Sequence, residues 1–135
     1  MTRKWLFIWF SGVLGGFFLL LGLVFILTPK AGAAIHGVAG DGPGMLLYVR
    51  AVGFRDLALS AYLIGLAYAG SVRGLTILGA ATVVIPISDT ALLILSPCSP
   101  GLHYVLHASS ALCLAAMAIL GRDLMRTAST GTTTT

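Results

Sequence analysis

The chain contains no glutamate and only four acidic residues, and charged residues make up just 9% of its 135 positions. A soluble domain carries about 25%, so there are too few charges here to cover a water-facing surface. Cysteine is almost absent, with Cys98 and Cys113 the only two. Cys98 falls in an expected loop and Cys113 in the middle of an apolar run. Those depths oppose a bridge, so both read as unpaired thiols serving as small apolar residues. Phosphate loops, paired-cysteine metal motifs and nucleophile elbows are missing. Ala39 to Gly44 is Gly-rich, but it reads as a turn and helix entry, not a nucleotide cradle. The formal net charge is +4. The basic residues fall at helix ends and loops, apart from Arg50 and Arg55, so no nucleic-acid patch forms and no nucleic-acid partner is expected.

What the chain has in abundance is apolar length: 58% of it is hydrophobic. A spanning helix needs about 20 predominantly apolar residues. Trp5 to Leu27, Met45 to Ala69, Gly74 to Leu95 and Leu102 to Leu120 approach or exceed that. The linkers Thr28 to Gly44, Gly70 to Arg73 and Ser96 to Gly101 are rich in Gly, Pro, Ser and charge, as turns require. Short linkers favour antiparallel neighbours. The expected fold is therefore all-α, an antiparallel bundle of four transmembrane helices forming one domain over residues 1–126. The Thr-rich tail, 127–135, is expected to be disordered. The start of the chain also resembles a leader, with basic residues before the apolar run and Ala31-Gly32-Ala33 after it. A leader's apolar core is about 7 to 15 residues, and this run is longer, so it is kept as the first helix.

Lys and Arg in short loops set orientation. With the N-terminus inside, Arg3, Lys4, Arg73, Arg122 and Arg126 all face the cytoplasm and Lys30 alone faces out. Both termini are expected to be cytoplasmic, in a multi-pass protein of the cell membrane if the chain is bacterial. The strength of the bias argues against a dual-topology dimer.

Against this background Arg50, Arg55, Asp56 and Asp89 are charges in the wrong solvent. Each costs several kcal/mol in a bilayer unless paired or hydrated, which marks a candidate functional site. Arg55 and Asp56 lie within a turn of the centre of their helix, and Arg50 lies roughly 10 Å further out. Asp89 and His107 fall on the same outer side, so three helices place polar groups at overlapping depths. Asp56 shares a face with Gly53 and Ser60. Arg55 is turned about 100° away and is free to address another helix. Tyr62, two turns below Arg55, is placed on the same side. Pro86 is expected to kink its helix one turn before Asp89. Small residues at Ala61, Gly65 and Ala69, and a G-x-x-x-G at Gly12 and Gly16, mark expected packing faces.

His103 and His107 are four apart on one helix face, with Ser110 a turn further. That is a metal-ligand spacing, but the third ligand would have to be Asp89. No metal or cofactor is assigned. The candidate catalytic residues are Arg55, Asp56, Asp89 and His107. Candidate binding residues are Arg50, Ser60, Tyr62 and His103.

The segments G-F-R-D-L-A-L-S and P-I-S-D resemble the pattern of a family of small four-helix bacterial and fungal membrane proteins classed as a domain of unknown function. Gly53, Arg55 and Asp56 match its Gly-x-Arg-Asp, and Pro86 and Asp89 match its Pro-x-x-Asp. Arg73 and Gly74 match the opening of its third helix loosely. Ser60 departs from the pattern, standing where glycine is more usual. The resemblance implies a four-helix integral membrane fold and no established reaction.

Three functions follow from the residues. In the first, an intramembrane Arg/Asp/His pocket binds, and in an extended form transforms, a small hydrophobic molecule by acid–base chemistry. In the second, the charges are ion pairs, Arg55 with Asp89 and Arg50 with Asp56, that fix helix register in an accessory protein. In the third, the carboxylates and histidine relay protons in a coupled transporter. The first is preferred, with enzyme status left open. The expected partners are the lipid bilayer and that hydrophobic ligand, and a homo-oligomer is compatible with all three.

Overall fold

A computed structural model describes residues 2–37, 42–95 and 101–130. Every regular element among them is a helix: α1 Arg3–Leu27, α2 Pro29–His36, α3 Pro43–Tyr68, α4 Val72–Thr82, α5 Val84–Ile94 and α6 Gly101–Thr130. Helices α4 and α5 run end to end as one span, Val72–Ile94, so there are four spans long and apolar enough to cross a membrane. At 1.5 Å per residue they cover about 34 to 39 Å, against a hydrocarbon core of about 30 Å. The surface agrees. Trp5, Trp9, Val13, Leu20, Phe54, Tyr62 and Leu112 are all exposed, an arrangement that suits lipid and would aggregate in water.

Contacts along each pair show that neighbouring helices are antiparallel. Gly12, Gly15 and Gly22 of α1 face Ala67, Ile64 and Gly53 of α3 in that order. Gly79 of α4 faces Leu114 and Met117 of α6, while the Tyr104 hydroxyl of α6 donates to the Leu93 carbonyl of α5. The main core gathers Phe7, Leu14, Phe18, Leu59, Leu63, Leu75, Leu114 and Met117. A smaller one, Phe25, Ala33, Val49 and Val52, holds α2 against α1 and α3.

Several expectations are corrected. The linker Thr28 to Gly44 is not simply a turn: it contains α2. Pro29 suits the first helical position, where its missing N–H costs nothing, and Gly37 ends the helix in the left-handed region at φ 85°. Helix α6 runs on from Leu120 to Thr130, into the stretch expected to be a tail. Cys98 and residues 131–135 lie outside the described residues, and Cys113 is a free thiol. The packing row on α1 is Gly15 with Gly22, whereas Gly16 faces open space. A Cβ on Gly22 or on Gly53 would come 2.9 Å from the other's carbonyl oxygen. The helices therefore cross backbone to backbone, and the glycine of the Gly-x-Arg-Asp segment is what permits it. Ala61, Gly65 and Ala69 form no such row: Ala61 and Ala69 are exposed and Gly65 has nothing near it.

Pro86, expected to kink its helix, follows a break in the helical hydrogen bonding. It has no N–H for the Thr82 carbonyl, and the helix is interrupted at Val83. On the near side of the break α4 packs against α1, α3 and α6; on the far side, among the described residues, α5 packs closely on α6 and on its own continuation α4. The space left between α5 and the α1–α3 pair is where the polar residues meet.

Candidate functional site

A cavity of about 80 Å³ occupies that space. Phe18, Phe25, Leu59 and Leu114 form its apolar walls, and Arg55, Asp56, Asp89, His107 and His36 its polar side. One buried water needs only about 10–15 Å³ of such space, so the cavity has room for several waters or a small polar group. Phe17, Ile35 and Leu106 lie at its edge and are partly exposed.

Helix α3 supplies Arg55 and Asp56, neighbours in sequence that diverge around the helix. The arginine is long enough to fold back: its Nε donates to Asp56 Oδ1 at 3.3 Å and its Nη2 to Asp89 Oδ2 at 3.4 Å. One guanidinium thus bridges two carboxylates on different helices. Both aspartates are buried, and about a third of the arginine side chain is exposed. The charges do not balance. Two carboxylates and one guanidinium leave one negative charge in apolar surroundings, which favours a proton, a metal ion or a cationic group nearby.

The nearest candidates for that role are imidazoles. His107 Nδ1 stands 3.8 Å from Asp89 Oδ2. Its other nitrogen, Nε2, donates to the backbone carbonyl of His36 at 3.3 Å. Because a carbonyl can only accept, the proton of a neutral His107 sits on Nε2, and the Nδ1 lone pair then faces the carboxylate. One turn earlier His103 Nδ1 donates to the Ile35 carbonyl at 3.0 Å. The two histidines, four apart on α6, thus satisfy two of the free carbonyls at the C-terminus of α2. His103 also packs against Gly37, where any side chain would collide with its ring. Their spacing has a structural use that the sequence did not disclose.

Among the candidate residues, Arg55, Asp56, Asp89 and His107 come together. Arg50 does not join them: it is exposed, without an ion-pair partner among the described residues, and Asp56 pairs with Arg55 instead. Tyr62 points outward and is 62% exposed, so it does not line the cavity. Ser60 is buried beside Asp56's turn, outside the cavity lining, and its hydroxyl has no partner among the described residues. His103 stops at the α2 carbonyl.

Sequence reasoning missed His36. It is buried, its ring lies edge-on to His107 at a centroid distance of 4.9 Å, and it lines the cavity. Burial lowers its imidazole pKa to about 4, so it is neutral at neutral pH. The available signal was the pair Pro29 and Gly37, which bracket an eight-residue helix.

The profile of a protein family described as a domain of unknown function (DUF4267) matches residues 15–121. That match spans α1 from Gly15 through α6 to Gly121 and so includes every residue of the cavity. No curated protein and no solved structure matches the chain.

Proposed function

The chain belongs to the DUF4267 family, and from that premise we propose that it is a multi-pass membrane protein that binds a small hydrophobic molecule through one compact polar group. The observation that carries this reading is the cavity itself, a mostly apolar recess of about 80 Å³ with one polar side formed by Arg55, Asp56, Asp89, His107 and His36. The polar group enters, and the apolar remainder lies along Phe17, Ile35 and Leu106 against lipid. Arg55 offers donors, Asp56 and Asp89 offer acceptors, and His107 moves a proton between them and the ligand. Both termini lie in the cytoplasm, following the bias of Arg3, Lys4, Arg73, Arg122 and Arg126. The membrane is the cell membrane if the source is bacterial.

The test is mass spectrometry of small molecules that copurify with the protein in native lipid discs. One amphiphile is expected in stoichiometric amount, reduced at least tenfold in Asp89→Asn. Protein that purifies with bulk lipid alone, or an occupant unchanged by that substitution, would sink the reading.

One observation favours a register-fixing role instead: a single Arg55 guanidinium bridges carboxylates on two different helices. Exchanging Arg55 and Asp89 separates the two readings. A structural pair tolerates the exchange, whereas a ligand site loses its occupant while the protein still accumulates.

A further inference from the structure

We propose that His36, Asp89 and His107 form a binding site for a divalent transition-metal ion of the zinc class, with one coordination position open to the cavity. This goes beyond the amphiphile reading and shares the cavity, Asp89 and His107 with it. The ligand atoms of these three residues, one from each, all lie within 4.8 Å of one another. Around a tetrahedral ion with bonds of about 2.0–2.1 Å, ligand atoms are about 3.3 Å apart, so closure needs side-chain shifts on the order of 1 Å. Two imidazoles and a carboxylate suit zinc, cobalt or iron rather than calcium or magnesium, which take oxygen donors. Three protein ligands are what open sites use, the fourth place going to water or an oxygen of a bound molecule.

The surroundings are built for this as well. Ligating histidines donate their other N–H to a carbonyl, and ligating carboxylates are themselves hydrogen-bonded. His107 already donates Nε2–H to the His36 carbonyl, which turns the Nδ1 lone pair towards Asp89. Arg55 already donates to Asp89, at the same Oδ2 that faces His107. The single uncompensated negative charge of the cluster is then met by the ion. The three ligands come from α2, α5 and α6; α2 meets α6 through its C-terminal carbonyls and the ring contact of His36 with His107. An ion here adds a metal bond to that contact.

A proton on His107 is the competing answer to the same charge, and metal titration distinguishes them. Purified apo-protein in detergent is titrated with Co(II) and followed by its visible spectrum. One equivalent per chain is expected, with the intensity of four-coordinate cobalt and no thiolate band. His36→Ala and Asp89→Asn each weaken binding by about 100-fold or more, a larger loss than removal of an outer-sphere partner. Cys113→Ser, which removes a free thiol outside the cavity lining, leaves affinity within about threefold of the parent. Should a variant fail to fold, electron paramagnetic resonance of Cu(II) bound to the parent protein counts the ligating imidazoles, and two are expected. No Co(II) binding below millimolar, affinity unaffected by Asp89→Asn, or fewer than two imidazoles on Cu(II) would overturn the site. A copurified amphiphile retained in a protein that binds no metal overturns this inference alone.

Discussion

The two sides of α3 are held to their neighbours by opposite means. On one side Gly53 meets Gly22 of α1, and the carbonyl oxygen of each lies where the other's side chain would be. On the other side Arg55 reaches across a cavity to Asp89 at 3.4 Å, and few close backbone contacts join α3 to α5. The first contact works by removing side chains; the second works by extending one. In lipid, apolar groups gain nothing by leaving the solvent for one another, so helices adhere through close packing and polar contacts. The α1–α3 seam uses the first resource and the α3–α5 gap the second. The seam closes backbone to backbone at Gly22 and Gly53, while the gap is bridged and leaves volume.

The comparison breaks most severely at Gly53→Leu. A Cβ there already falls 2.8 Å from Ile26 Cγ1 and 2.9 Å from the Gly22 carbonyl oxygen, and the oxygen cannot move without its helix. Overpacking of this kind typically costs 1–3 kcal/mol and occasionally more; with a whole leucine against backbone, about 3 kcal/mol or more is expected. The expected outcome is a large loss of monodisperse protein in size-exclusion chromatography. No second substitution on α5 or α6 restores it, because the clash lies elsewhere. Normal yield would show that the backbone crossing is not what joins α1 to α3.

The next effect is on the bridged side. Arg55→Met leaves Asp56 and Asp89 buried with two negative charges and no guanidinium. Breaking a buried pair costs about 3–5 kcal/mol, and the partial exposure of Arg55 brings the expectation down to about 2 kcal/mol by screening. Thermal unfolding in detergent reads the loss. The sharper outcome is rescue: adding Asp89→Asn to Arg55→Met removes one of the stranded charges and recovers part of the stability. Charge rescue on this side, with none on the glycine side, would separate the two modes of contact. An Arg55→Met protein as stable as its parent would mean that water already compensates the carboxylates.

Much of this contrast is legible in the amino-acid sequence, though unevenly. Apolar run length marks the four spans directly, because nothing else keeps Trp5 to Leu27 or Gly74 to Leu95 in folded order. Depth along those spans places Arg55, Asp56, Asp89 and His107 near one another. Two kinds of fact are hidden. Which glycines face a neighbour depends on helix rotation, and the spacing of Gly12 and Gly16 does not show that Gly15 and Gly22 face inward instead. The reach of a flexible side chain is equally hidden: Arg50 and Arg55 are alike in sequence, yet one is exposed and the other bridges two helices. His36 escapes notice because its segment is short and of low mean hydropathy. Only the proline and glycine at its ends mark it as a helix that folds back on the bundle.

The smallest effect belongs to Gly16→Ala, and it tests the rotation of α1 directly. Gly16 follows Gly15 by one residue, about 100° around the helix. A Cβ on Gly15 would come 2.8 Å from Ile64, whereas one on Gly16 would meet nothing within 4 Å. Glycine inside a helix is less stable than alanine by about 0.5–1 kcal/mol, through backbone entropy. Where the new methyl group has room, that difference becomes a gain, so Gly16→Ala is expected to raise the melting temperature by a few degrees. Gly15→Ala is the matched control and is expected to lower it, because the Leu63 Cβ and the Ile64 backbone nitrogen stand within 3.3 Å of the added carbon. If Gly16→Ala were instead the damaging member of the pair, α1 would be rotated by about a quarter turn from its place here. The glycine seam would then run along Gly12 and Gly16, and Phe18 and Phe25 would turn away from the cavity they line.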